Sequence, residues 1–281
     1  MNITTTLEQR LSQNIKAGEV SVERAMLIAS GLDSEEAIQQ YTARLDTLQK
    51  RFHDYLERKK RHPNTQMETA RELFDYLWED KPRRNDENGD YKLTTAIDAQ
   101  LSEDKNLAVG NCIALTALFT ALGLREGLNL YATYIPGHVL STLRKNGSLI
   151  IDIENTRTDG YNTRLDESYG YVEESAMHIV SLMIASRWQI KKEGREEQLN
   201  AAIKDYNLAI EISPNNAVAY CHRGIAEARQ HRFNEALKDA EKALKIFPNY
   251  EDAEELKKFI DRSNKTIAEI KPLGNPTSST F

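Results

Sequence analysis

The chain repeats itself near its C-terminus at a spacing of 34 residues, and no other feature restricts its fold as strongly. Ala202, Tyr206, Ala209 and Pro214 recur as Ala236, Ala240, Ala243 and Pro248. Small residues at helical spacing let a second helix approach closely, and a proline after each set stops the helix. Tyr220 and Gly224 fall between the two sets, where an intervening helix needs one large side chain and then one close contact. Such a unit cannot bury its apolar stripe alone, so neighbouring units must stack. Glu254 to Asp261 should form the next helix, but Lys258 stands where Gly224 stood, which reads as a solvating cap.

The chain divides into four parts: a helical region over 1–80, a core over 81–172, the repeats with their cap over 173–265, and a tail over 266–281 rich in Pro, Gly, Ser and Thr that reads as disordered. In the first part, Asp33 with Glu36 and Thr65 with Glu68 are capping-box patterns that predict helix starts. Ile38, Tyr41, Leu45, Leu48, Phe52, Tyr55 and Leu56 recur at three- and four-residue steps, giving one buried stripe. The charged, Pro- and Gly-containing run from Glu79 to Asp90 marks the boundary.

The core begins with a short helix over Thr94 to Leu101. A second helix, from Cys112 to Leu122 and closed by Gly123, is apolar nearly all round, as a central helix under a sheet must be. Three short segments rich in β-branched and aromatic residues follow: Leu128 to Ile135, His138 to Leu143 and Ser148 to Ile153. Asn146-Gly147 supplies a hairpin turn between the last two, so the sheet is antiparallel. The fold class is therefore α+β, with a helical N-terminal region, a central helix on an antiparallel sheet, and a C-terminal helical array. A helix from about Glu173 to Lys192 should pack that array onto the core, so that deletion from Glu197 onward destabilises the whole chain.

Three residues in this core suggest chemistry. Cys112 opens the central helix, where unpaired N–H groups and the positive end of the helix dipole favour a thiolate. His138 and Asp152 lie at strand ends beside the hairpin; an imidazole can activate the thiol and a carboxylate can hold the imidazole. Each also has a plainer reading: Cys112 as packing, His138 as the residue after a Pro136-Gly137 turn, Asp152 as a partner for loop backbone.

Gly110-Asn111-Cys112, Gly137-His138-Val139-Leu140 and Leu149-Ile150-Ile151-Asp152 resemble the three signature segments of the transglutaminase-like superfamily. The resemblance spans roughly Leu93 to Tyr171. It implies a papain-like core and a catalytic Cys112–His138–Asp152 triad that acts on amide bonds through a thioester, as in a protease, amidase or deamidase. Neither cofactor nor metal is called for. The oxyanion hole would use the Cys112 N–H and a donor from the preceding loop, with Asn106 as a candidate. Ile153-Glu154-Asn155-Thr156 departs from the Asp-Pro-aromatic sequence of many relatives. The 34-residue unit is similar to the tetratricopeptide repeat, and a bacterial branch of the superfamily likewise joins an N-terminal helical region, such a core and these repeats. The repeats then dock a protein or peptide, whether substrate or partner. Water is the default acceptor of the acyl group, and a primary amine the other. The alternative is a catalytically idle interaction scaffold.

Other classes fit poorly. The formal charge of −6 argues against general nucleic-acid binding. No apolar stretch is long enough for a membrane span, and two cysteines in unlike contexts suit a reducing, cytoplasmic setting. Cys221 and His222 are adjacent on a helix and point apart, without a further pair at zinc spacing. The basic Arg58-Lys59-Lys60-Arg61-His62 cluster sits at a helix end, where it complements the dipole.

Overall fold

A computed structural model describes residues 6–145, 148–164, 170–188 and 195–270. Two short helices, α1 (Thr6–Gln9) and α2 (Leu11–Ala17), precede α3 (Val22–Ala29) and the long α4 (Glu35–Lys59), which turns back as α5 (Gln66–Asp80). The predicted stripe of α4 is buried at Ile38, Leu45, Leu48, Phe52 and Tyr55. Its start differs by one residue from the expected Asp33/Glu36 box. Ser34 is the cap, its hydroxyl accepting from Ala37 N at 3.2 Å, because Ser34 is the extended residue whose oxygen can reach back to the third helical N–H. The Thr65/Glu68 box of α5 forms as read. The basic cluster ends α4 with Lys60 in the left-handed region, while Arg58 and Lys59 pair with Glu79 and Arg61 with Glu72, tying α4 to α5.

After α6 (Leu93–Leu101) comes α7 (Cys112–Arg125), buried at every residue from Ala114 to Gly123. Gly123 does not close this helix, which continues to Arg125. A Cβ at Gly123 would come within 2.6 Å of Leu130 Cδ1, so the glycine serves close packing of the chain that returns to the sheet. The sheet is β1 (Leu130–Ile135), β2 (His138–Lys145), β3 (Ser148–Ile153) and β4 (Val172–Ser175), in the antiparallel order β3-β2-β1-β4. Thr116 Oγ1 donates to Val139 O at 3.2 Å, and the Asn155 amide reaches both Thr116 and Ser141, which fastens α7 to the sheet. The Asn146-Gly147 turn lies outside the described residues.

The helix expected from Glu173 is a strand at first. Val172–Ser175 adds to the edge of β1, and Glu173 binds Thr142 Oγ1 at 3.0 Å and pairs with Arg144, contacts available only in extended backbone. The helix proper, α8 (His178–Ala185), is buried along its whole length. It packs on α9 (Glu196–Ile212), followed by α10 (Ala217–Arg229), α11 (Phe233–Ile246) and α12 (Glu251–Ile270). Ala202, Tyr206, Ala209, Ala236, Ala240 and Ala243 are all fully buried, as their 34-residue spacing requires. At Gly224 a Cβ would meet Leu256 and the Ala236 carbonyl near 3 Å, whereas Lys258 on α12 is exposed. The last helix extends to Ile270, five residues into the expected tail, and residues 271–281 lie outside the description. Apolar burial is continuous from Leu11 through α7 and the sheet to Tyr206 and Ala226, so α9 and one side of α10 share the core of the rest, while α11 and α12 pack with the remainder of α10 in two further clusters. Among the described residues no helix is long and apolar enough to cross a membrane.

Candidate functional site

The start of α7 is fixed by its own sequence and by the loop over 84–90. Asn111 caps the helix, its Oδ1 accepting from Ile113 N at 3.0 Å and Ala114 N at 3.2 Å. Asn111 N donates to Asp90 O, Gly110 N and Val109 N to Arg84 O, and Asp86 N to Gly110 O. A side chain at Gly110 would sit 2.7 Å from the Asp90 carbonyl, so only glycine allows the loop to close this tightly before Cys112. Cys112 is thereby held at the first position of α7, half-buried, where it lines a cleft.

His138 reaches the same cleft from the sheet. Ile135 pairs with His138, so Pro136-Gly137 form the two-residue turn between β1 and β2; Gly137 at φ 87° supplies the positive φ that a Pro-Gly turn needs. His138 Nε2 pairs with Glu154 Oε2, and Glu154 Oε1 accepts from Thr156 N at 3.0 Å and Thr156 Oγ1 at 2.6 Å. Hydrogen bonding to Cys112, and then to Glu154, outweighs burial and pushes the imidazole up to about 10. Burial opposes ionisation of Glu154, but its bonds to His138 and Thr156 prevail and hold the carboxyl below its usual range. At neutral pH the arrangement is a protonated imidazole between a sulfur and a carboxylate.

Cys112 and His138 therefore meet as the sequence predicts, and Asp152 does not join them. Asp152 stands opposite Thr142 in the β2–β3 register. That is four residues along β2 from His138, or about 13 Å at the usual rise. Its buried carboxylate instead binds Thr163 N at 3.1 Å, Arg164 N at 3.0 Å and the Thr163 hydroxyl, stapling the loop after β3, in which Asn162 and Arg164 adopt positive φ. This is the plainer reading of an acid in an apolar strand. The carboxylate at His138 is Glu154, nearer by one pair of residues and longer by one methylene. Counting outward from a two-residue Asn146-Gly147 turn sets residue 155 opposite His138 and Glu154 on the other face; the register shift between Leu143 and Arg144 is what brings Glu154 to the His138 face. Asn106 is exposed on a turn and does not line the cleft; the loop residues that do so beside Cys112 are Asn85, Glu87 and Asn111.

The cleft has a volume near 940 Å³ and two walls. One is the core, with Asn85, Glu87, Cys112, the Pro136-Gly137 turn, His138 and Thr156. The other is the repeats, with Val218, His222, Phe247, Asn249, Tyr250, Glu251 and Asp252. Tyr134 fixes the walls relative to each other: its hydroxyl pairs with Asn215 O and accepts from Ala217 N at 3.0 Å, and its ring stacks on His178 at 4.3 Å. Cys221, next to His222, is fully buried, and burial pushes its thiol up to about 12.

Comparison with known proteins places names on part of this. Residues 195–231 match a TPR repeat model and residues 217–250 a tetratricopeptide repeat model, while no transglutaminase-like model matches. No curated protein matches the sequence. Among solved structures, the chain is similar to menin, in a crystal structure described as revealing its binding site for Mixed Lineage Leukemia (MLL) protein. The TM-score is 0.60 at 12% identity, over 92% of this chain and 66% of that one, a likeness of fold. The C-terminal region is thus a TPR region, the kind of array that binds protein partners.

Proposed function

We propose that the chain is a cysteine-dependent acyl-transfer enzyme with a papain-like core, acting on amide bonds of a protein or peptide that lies between the core and the TPR wall. The observation that carries this is the Cys112–His138–Glu154 series: a helix-start thiol and an imidazole raised to about 10 that line one cleft, with an ionised, buried carboxylate bound to the imidazole. A cation against a sulfur is the setting in which cysteine attacks as thiolate. The Cys112 sulfur bonds to the carbonyl carbon and the carbonyl π pair moves onto oxygen; collapse expels the amine, which takes its proton from His138. A thioester results. His138, now neutral, takes a proton from water as it attacks, and hydrolysis restores the thiolate and the imidazolium; a primary amine in place of water gives transfer. Glu154 keeps the ring oriented throughout and stabilises its charge. The cleft lining carries Glu87, Glu251 and Asp252 and neither Lys nor Arg, which suits an occupant of neutral or positive charge.

A second reading has its own support: the matched TPR repeats and a fold shared with a protein whose solved structure is described by its partner-binding site favour an interaction scaffold whose cleft binds a partner without chemistry. Treatment with p-nitrophenyl acetate separates the two. The enzyme reading predicts a p-nitrophenolate burst with acetyl mass on the Cys112 peptide, lost in Cys112→Ser; an unmodified Cys112 under conditions that acetylate surface lysines favours the scaffold.

A further inference from the structure

The connection between α5 and α6 carries two cations that the fold encloses: Lys81 is 0% exposed and Arg84 1%. Lys81 is provided with acceptors, its Nζ donating to Ser102 O at 2.7 Å and to Asp104 O. Arg84 is not. Its Nε and Nη2 are shielded from solvent and have no acceptor among the described residues. The guanidinium lies 5.5 Å from the centre of the Trp78 ring, and the indole N–H of that ring is likewise shielded and without an acceptor. Burial pulls Arg84 down to about 9, opposed by the charges of Tyr76 and Asp80, so it stays a cation at neutral pH. Asp80 forms no ion pair with it and accepts from Gln100 Nε2 at 3.4 Å instead. An aromatic face offsets only part of the cost of burying a cation, and buried donors need acceptors. Idle donors around an enclosed positive charge are the complement of an anion.

We propose that Arg84 and Trp78 bind a small monovalent anion, chloride, in the interior behind the loop that leads to Cys112. Charge selects the valence: one guanidinium neutralises one negative charge, and a dianion beside Asp80 would leave excess negative charge out of water. The site has a structural reach beyond itself. The Arg84 carbonyl accepts from Val109 N at 2.8 Å and Gly110 N at 3.2 Å, and Asp86 N donates to Gly110 O at 3.0 Å, so an anion that fixes Arg84 braces the turn before Asn111 and Cys112. The assignment holds whether or not Cys112 reacts.

Two measurements on the full-length protein test this. Melting is followed as sodium chloride replaces sodium gluconate at constant ionic strength, gluconate being too large to enter an enclosed site. Crystals soaked in sodium bromide then locate the halide by its anomalous scattering. The melting temperature should rise by about 5 °C and level off, as binding to the folded state alone requires, and a bromide peak should lie beside Arg84 Nε and Nη2. Arg84→Met, which keeps the length of the side chain without its charge, should lose both the rise and the peak. Trp78→Phe keeps the ring without the N–H and should move the chloride midpoint up by roughly tenfold, so it carries the test if Arg84→Met fails to fold. A flat melting temperature, or a bromide map with only water at Arg84, would mean that water satisfies these donors. A chloride response that persists in Arg84→Met would be a general salt effect. Any of these overturns the proposal.

Discussion

Glu154→Gln is expected to slow acetylation of Cys112 by roughly a hundredfold or more, whereas Asp152→Asn should leave that rate near wild type. Glu154 is the carboxylate that binds His138, and its second oxygen is fixed by both donors of Thr156. An amide there keeps the shape but loses the charge that holds the imidazolium, so the raised value of about 10 at His138 should drop. Asp152 works elsewhere. Its carboxylate accepts two backbone N–H groups and the Thr163 hydroxyl, and an amide would set an N–H against one of those donors. That substitution should cost stability, about 1–3 kcal/mol, and be visible as a lower melting temperature. The two variants thus move different observables, and a loss of acetylation in Asp152→Asn with a stable fold would restore the triad that the sequence suggested.

Deleting residues from Glu197 onward should unfold or aggregate the entire chain rather than release a stable core. Helix α8 is buried from His178 to Ala185, and α9 and α10 cover much of it. Their removal exposes apolar side chains worth about 1.5–3 kcal/mol each, and three or four of them match the whole stability of an ordinary domain. Polar ties are lost as well. Ser181 Oγ donates to Ala209 O at 2.6 Å, Trp188 Nε1 to Asp205 Oδ2 at 2.7 Å and Ser12 Oγ to Glu211 at 2.8 Å; Arg187, paired with both Glu8 and Asp205, would keep only one of them. Circular dichroism of the truncated chain should show no cooperative melt near that of the full chain. An unchanged transition would mean that the repeats fold apart from the core.

The repeats and the central helix were legible because periodicity records burial directly. Alanines spaced by 34 residues are buried where they recur, and the largely apolar run after Cys112 is buried at every residue from Ala114 to Gly123. Features that depend on pairing distant segments were not. Glu173 reads as the start of a helix, and only the free edge of β1, forty residues earlier, makes it a strand. Gly123 looks like a helix end but is spent on a contact with Leu130. In the site, Cys112 and His138 are set by local signals, a capped helix start and a Pro-Gly turn. The acid is set by strand register, where a shift of two residues exchanges Asp152 for Glu154. Asn85 is brought to Cys112 by a single parallel bridge that leaves no periodic trace.

The most direct test of an activated Cys112 is the pH dependence of its alkylation by iodoacetamide, followed by mass spectrometry with Cys221 as an internal reference. His138 keeps its proton until the pH rises through about 10, and Glu154 stays ionised until the pH falls below the usual carboxylate range, so the imidazolium stands beside the sulfur across the whole interval between. Labelling of Cys112 should accordingly change little from pH 5.5 to 8, and at pH 6 it should exceed that in His138→Ala by on the order of tenfold. A rate that climbs with pH like that of a free thiol, titrating at about 8.5, and that is indifferent to His138, would contradict the account.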